Sequence, residues 1–236
     1  MGASIQTESI MFQPSPLGHP PIRCRIVRRR TGAGSLYPEY ELFLEGTSES
    51  RFFLFAARRR KNARGSTYAI SMNRIDSGQF DERIVGKVKS NFLGTLFSIY
   101  DAKTGWQRER HEQAAVLYQP NLLGLRGPRK FLLLLPGLTD DDKIRSLTYR
   151  PGRCQLHEKF SNDQDIRNIV VLRNKEPLWN DGKPGRHWLV PAHMLTYPDS
   201  QSYVLNFSDR VSQASVKNFQ VVHHLDCTIG RSLDGV

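Results

Sequence analysis

Cysteine is scarce, and long apolar runs and catalytic signatures are missing. The chain has 236 residues and three cysteines, Cys24, Cys154 and Cys227, standing far apart. An odd number at that spacing argues against a disulfide framework and against a CxxC zinc site, and fits a reducing compartment. The longest apolar run, FLLLLPGL from Phe131, falls far short of the roughly 20 residues that span a bilayer. With no signal-peptide core at the N-terminus, any membrane contact is expected to be peripheral. HExxH, GxSxG and the P-loop are all absent. His223 and His224 are adjacent, and on a strand their rings would point to opposite faces. Gly32, Gly34, Gly124 and Gly127 read as turn glycines, and the acidic run Asp140 to Asp142 as a solvated turn. No catalytic residue, metal site or cofactor is expected, and an enzyme is the weaker reading.

What the chain does have is positive charge. Basic residues number 34 against 23 acidic, for a net charge of +11. Such a balance points to a polyanionic partner, either phospholipid headgroups or nucleic acid. The charge is concentrated in RFFLFAARRRK, from Arg51 to Lys61, with Arg64 close behind; no acidic residue lies between Arg51 and Arg64. Side chains alternate along a strand, so Phe52, Leu54, Ala56, Arg58 and Arg60 share one face while Phe53, Phe55, Ala57, Arg59 and Lys61 share the other. Both faces are apolar along the first half, which predicts protein on both sides of this strand. Cations at that density cannot be buried unpaired, so the RRRK end must emerge into solvent. For one or two cations a solvated strand end would suffice. Here five lie within seven positions, and an anion site is the better reading, since guanidinium forks suit phosphate oxygens.

Residues 1–21 are rich in Ser, Pro and Gln without periodicity and read as a disordered lead-in. From Ile22 onward, short β patterns alternate with turn residues: IRCRIVR, YPEYELFLE, the cationic strand, STYAISM, a basic segment containing Lys87 and Lys89, LFSIYD, QAAVLYQ, KFLLLLP, KIRSLTYR, NIVVLRNK, SYVLNF and VKNFQVV. NRIDSGQFDER reads as a loop. Helical periodicity is scarce. The expectation is an all-β, antiparallel sandwich or barrel.

Five stretches in order, FLFAARRRKNARGSTYAIS, VGKVKSNFLGTLFSIYD, NLLGLRGPRKFLLLLPG, LWND and SYVLNFSDRVSQASVKNFQVV, resemble the successive motifs of the Tubby C-terminal domain, over about residues 22–223. The resemblance implies an antiparallel β-barrel threaded by a hydrophobic C-terminal helix, and a basic cavity that binds phosphatidylinositol 4,5-bisphosphate. By motif position the lipid-binding cations fall on Arg58 and Arg60, with Arg59 and Lys61 adjacent, and on Lys89, which replaces the arginine usual in the family. It further implies a monomeric peripheral membrane tether or adaptor at the cytoplasmic face of the plasma membrane and in the cytoplasm, with membrane-protein cargo as a partner. The alternative is a nuclear transcription regulator whose basic patch holds nucleic acid, although neither a recognition helix nor an RRM-like aromatic signature is present.

Two departures from the family pattern stand out. The stretch 181–200 between LWND and SYVLNF reads as an inserted loop. After Val222, where a further strand and the apolar helix would be expected, HHLDCTIGRSLDGV is polar, so residues 224–236 read as a non-family tail and the barrel as incomplete and only marginally stable.

Overall fold

Period-two stretches such as YELFLE and LFSIYD are extended backbone. The computed structural model describes residues 11, 18, 20–30, 37–46, 50–60, 66–102, 110–119, 130–138, 147–149, 155–162, 166–175, 178–180, 202–204, 207, 211 and 217–225. Of the sequence expectations, Lys61, the stretch 181–200, most of the N-terminal lead-in and residues 226–236 lie outside that set.

Among the described residues thirteen strands follow in chain order: β1 (Cys24–Arg29), β2 (Glu39–Glu45), β3 (Arg51–Arg59), β4 (Thr67–Ser71), β5 (Ile84–Ser90), β6 (Leu96–Asp101), β7 (Arg110–Tyr118), β8 (Phe131–Pro136), β9 (Leu147–Tyr149), β10 (Ile169–Asn174), β11 (Leu178–Asn180), β12 (Ser202–Val204) and β13 (Val221–His223). The main sheet runs β1-β2-β3-β4-β5-β6-β7-β8-β10-β13, with β9 against β7; β11 and β12 form a separate pair. The class is the one the sequence predicts, an antiparallel all-β domain with little helix. Among the described residues no hydrogen bonding joins β1 to β13, so the sheet is not closed in that way.

Two compact units divide the chain, Met1–Leu117 with Leu134–Val170, and Tyr118–Leu133 with Val171–Val236. In the second, Phe131 is tilted against Tyr118 at 5.4 Å and meets Phe219 edge-on at 5.0 Å. Its amide donates to Asn174 Oδ1 at 3.0 Å, and β10 pairs with β13 from Leu172 opposite His223 to Asn174 opposite Val221.

The first unit carries the cationic strand. Small residues on neighbouring strands, Ala56 on β3 and Ala69 on β4, leave room that the Phe80 ring fills, with Phe53, Ile75 and Ile84 packed around it. Phe80 comes from the connection between β4 and β5, which is not a plain loop: it makes two 3-10 turns, Ile75–Ser77 and Phe80–Arg83. Ser71, fully buried at the end of β4, holds this connection down. Its hydroxyl lies 2.6 Å from the Phe80 carbonyl and 3.1 Å from that of Arg83, and accepts from the Asn73 amide. A close strand approach explains Gly86 on β5, where a Cβ would stand 2.8 Å from the Tyr100 carbonyl oxygen.

Protein on both sides of β3 is only partly what is found. Leu54 and Ala56 are buried, but Phe53 and Phe55 are half-buried and Phe52 is 48% exposed. A register shift between Leu42 and Phe43 on β2 falls opposite this half of the strand, and such irregularities re-aim side chains from the regular alternation.

The helix α1 (Leu156–Ser161), among the described residues, is packed through buried Leu156. A capping box formed by Gln155 and Glu158 starts it, and the Leu156 amide donates to Glu112 Oε2 on β7 at 2.8 Å. Glu112 is almost wholly buried, and burial raises its pKa, against the opposing pull of the Leu156 amide and the Ser98 hydroxyl. The native state therefore binds this proton more readily than the unfolded chain. Stability is full below the ordinary glutamate range and falls as pH rises from there through the raised native value. Glu112→Gln keeps an oxygen for the Leu156 amide and carries no charge. Its stability relative to wild type is expected to improve as pH rises from the ordinary glutamate range, about pH 4, through the raised native value, read from urea unfolding of both proteins across a pH series. A difference that does not change with pH would refute the assignment.

Candidate functional site: a cationic strand end

Strand register decides which cations meet. Arg58 lies opposite Ala69, and Ala69 opposite Lys87. One step further along, the Arg60 amide donates to the Thr67 carbonyl at 2.8 Å, and Thr67 lies opposite Lys89. Directly opposed residues of an antiparallel pair share a face, as do residues two apart on one strand. Arg58, Arg60, Lys87 and Lys89 therefore project from the same face of β3 and β5, at the same end. Over the sheet interior this face is the buried one, carrying Ala56, Thr67, Ala69, Ser98 and Tyr100. The cations share their cross-strand rows with buried Ala69 and Tyr100 and with buried Thr67 and Ser98. β3 and β5 flank β4, so the two rows stand about 10 Å apart at the backbone, a gap that long side chains can close.

Each cation has a neighbour that fixes it. The Arg58 guanidinium lies 4.3 Å above the centre of the Phe80 ring and donates to Asp81 Oδ2 at 2.7 Å. Arg60 reaches the other carboxylate oxygen of Asp81 at 3.8 Å. Lys87 and Lys89 both direct their ammonium groups toward the buried Tyr100 ring, at 5.6 and 5.7 Å. Two guanidinium groups thus converge on one acidic group, with two ammonium groups on the neighbouring strand. Chemically the arrangement offers four cationic donors with a carboxylate at their edge. A phosphate brings more charge and three acceptor oxygens to the same donors.

Arg59 is not part of this group. It points to the opposite face, where its guanidinium lies 3.7 Å above the Tyr37 ring. Tyr40 and Tyr68 meet there edge-on at 6.0 Å, and burial, reinforced by Tyr40 and partly offset by Arg59, raises the Tyr68 hydroxyl pKa. The structure therefore brings together Arg58, Arg60 and Lys89 of the expected cations and separates Arg59; Lys61 lies outside the described residues.

Asp81 and Phe80 lie in NRIDSGQFDER, which reads as a loop in the sequence and makes two 3-10 turns in the structure. The available signal was Phe80 itself, a large aromatic in an otherwise polar connection. The histidine pair needs a correction as well. β13 ends at His223, so alternation does not carry on to His224, and the rings lie 4.9 Å apart. His224 Nδ1 is 3.2 Å from the Val171 carbonyl, and His223 Nδ1 accepts from the Leu225 amide. Among the described residues no three His, Cys, Asp or Glu side chains are grouped to hold a metal ion, and no helix is long and apolar enough to cross a membrane.

Comparison with known proteins gives a consistent result. Residues 11–189 and 196–233 match the model of the Tub family. The chain is 38% identical over 231 residues to the Tubby-related protein 3 of Homo sapiens, which covers 93% of this chain and 48% of that protein. It is 39% identical over 222 residues to the protein king tubby 2 of Aedes aegypti, covering 93% of this chain and 50% of that one. With the protein king tubby of Drosophila grimshawi the identity is 36% over 224 residues, covering 94% of this chain and 46% of the relative. The chain spans about half the length of these relatives.

Proposed function

Because the chain belongs to the Tub family, we propose that it binds the headgroup of phosphatidylinositol 4,5-bisphosphate through Arg58, Arg60 and Lys89, and acts as a peripheral membrane tether or adaptor for membrane-protein cargo at the cytoplasmic face of the plasma membrane. The observation that carries this reading is the register across β3, β4 and β5, which aligns three cations from two distant stretches of sequence, with Lys87, on one face at one end. Arginine forks on one row and point charges on the other suit a ligand with two phosphates separated by a ring. Phe80 and Tyr100 lie beneath the cations as preformed platforms, so binding orders little that is not already held.

Nucleic acid, the runner-up partner, has in its favour only the overall positive charge. Both interactions weaken with salt, so salt dependence does not separate them. Competition does. Soluble inositol trisphosphate is expected to displace the protein from vesicles containing the lipid at concentrations where inositol monophosphate and duplex DNA do not. Equal displacement by all three would reduce the site to a nonspecific basic patch.

A further inference from the structure

Phe92 is 99% exposed and Leu93 76% exposed, and they are consecutive, at the tip of the hairpin between β5 and β6. An isolated exposed apolar side chain is ordinary; two adjacent large ones held out from the sheet by a rigid turn are not. The rigidity comes from Asn91. Its side-chain carbonyl accepts from the amides of Thr95 and Leu96 at 2.9 and 3.2 Å, and its amide nitrogen donates to the Thr95 hydroxyl at 2.9 Å. Gly94 closes the turn with a φ of 64°, a left-handed conformation suited to glycine. The tip is therefore held in shape before it meets anything.

Its position identifies what it meets. Phe92 follows Lys89 by three residues at the same strand end as Arg58 and Arg60, in the turn just past the end of β5 at Ser90, so it stands at most about 10 Å beyond the lysine. That matches the depth, about 5–10 Å, at which apolar side chains settle at the boundary between headgroups and acyl chains. We propose that Phe92 and Leu93 form a wedge that enters the bilayer interface while Arg58, Arg60 and Lys89 hold the phosphorylated headgroup above it. The inference rests on the headgroup reading and extends it, since cations alone recognise a soluble headgroup equally well. The occupant is a lipid surface because the apolar pair adjoins an anion site rather than an apolar groove, and charge and apolarity are layered in the order that a bilayer presents them.

The test compares wild type with Phe92→Ala/Leu93→Ala on phosphatidylcholine vesicles containing phosphatidylinositol 4,5-bisphosphate, and with soluble inositol trisphosphate. The double variant is expected to bind the soluble headgroup as wild type does, and to partition onto vesicles about 10- to 100-fold more weakly. In Phe92→Trp, emission in excess of the three native tryptophans should shift to the blue on vesicles and be quenched by brominated acyl chains. Unchanged partition together with water-like emission at residue 92 overturns the wedge and leaves the headgroup reading standing. A wild type that does not bind the soluble trisphosphate overturns the headgroup reading, and the wedge with it.

Discussion

Arg58→Ala combined with Arg60→Ala is expected to abolish measurable binding to vesicles containing phosphatidylinositol 4,5-bisphosphate while leaving the protein folded. A hydrogen bond to a charged group contributes about 1.5–3 kcal/mol, so losing one from each arginine weakens binding by about 3–6 kcal/mol, roughly two to four orders of magnitude. The fold should tolerate the change because both side chains lie at a strand end and their shared partner Asp81 is itself largely exposed; exposed ion pairs contribute about 0–1 kcal/mol. Asp81→Asn supplies the opposite sign. It removes the carboxylate that both guanidinium groups now face, and headgroup binding should tighten by a few-fold. Arg59→Ala, on the other face of β3, should lower vesicle affinity only to the extent that overall charge does. A folded Arg58/Arg60 double variant that still binds, or an Arg59 variant that loses as much, would remove this face from consideration.

Sequence alone shows the cationic half of this site because it is local. Five cations within a few positions are visible without a fold, and strand parity already divides Arg58 and Arg60 from Arg59, as the structure does. Placing Lys89 with them from residue patterns alone is not possible, because it depends on β5 pairing with β4 in a register that a slip of one residue would reverse; resemblance to a family supplied that position. Asp81 and Phe80 stayed hidden for a different reason. Their placement depends on Ser71, whose buried hydroxyl meets carbonyls nine and twelve residues away, and no periodicity encodes such a contact. α1 escaped notice because six residues are too few for a helical stripe. Its start is fixed in part by Glu112, 44 residues earlier. Strand existence and antiparallel order, by contrast, follow from short turns and period-two patterns repeated along the chain.

The largest stability effect is expected at Phe80. Its ring is almost completely buried against Ala56 and Ala69, and neither alanine can move into the space that Phe80→Ala would open. Large-to-small changes of this kind at phenylalanine cost about 3–5 kcal/mol, the lost transfer energy plus that of the cavity. Against a total stability of about 5–15 kcal/mol, a loss of that size takes up a large share of the margin. The damage should not stay in the core. Phe80 is the platform beneath the Arg58 guanidinium, and the 3-10 turn that begins with it carries Asp81. Phe80→Leu separates the two roles, since it keeps most of the volume and loses the aromatic face. It should cost less stability than Phe80→Ala and, in the protein that remains folded, still weaken headgroup binding by the about 0.5–2 kcal/mol expected of a cation–π contact. Urea unfolding measures the first effect and vesicle titration of the leucine variant the second. A loss below about 1 kcal/mol in Phe80→Ala would mean that the connection between β4 and β5 is not part of the core, and that Arg58 is positioned by its strand alone.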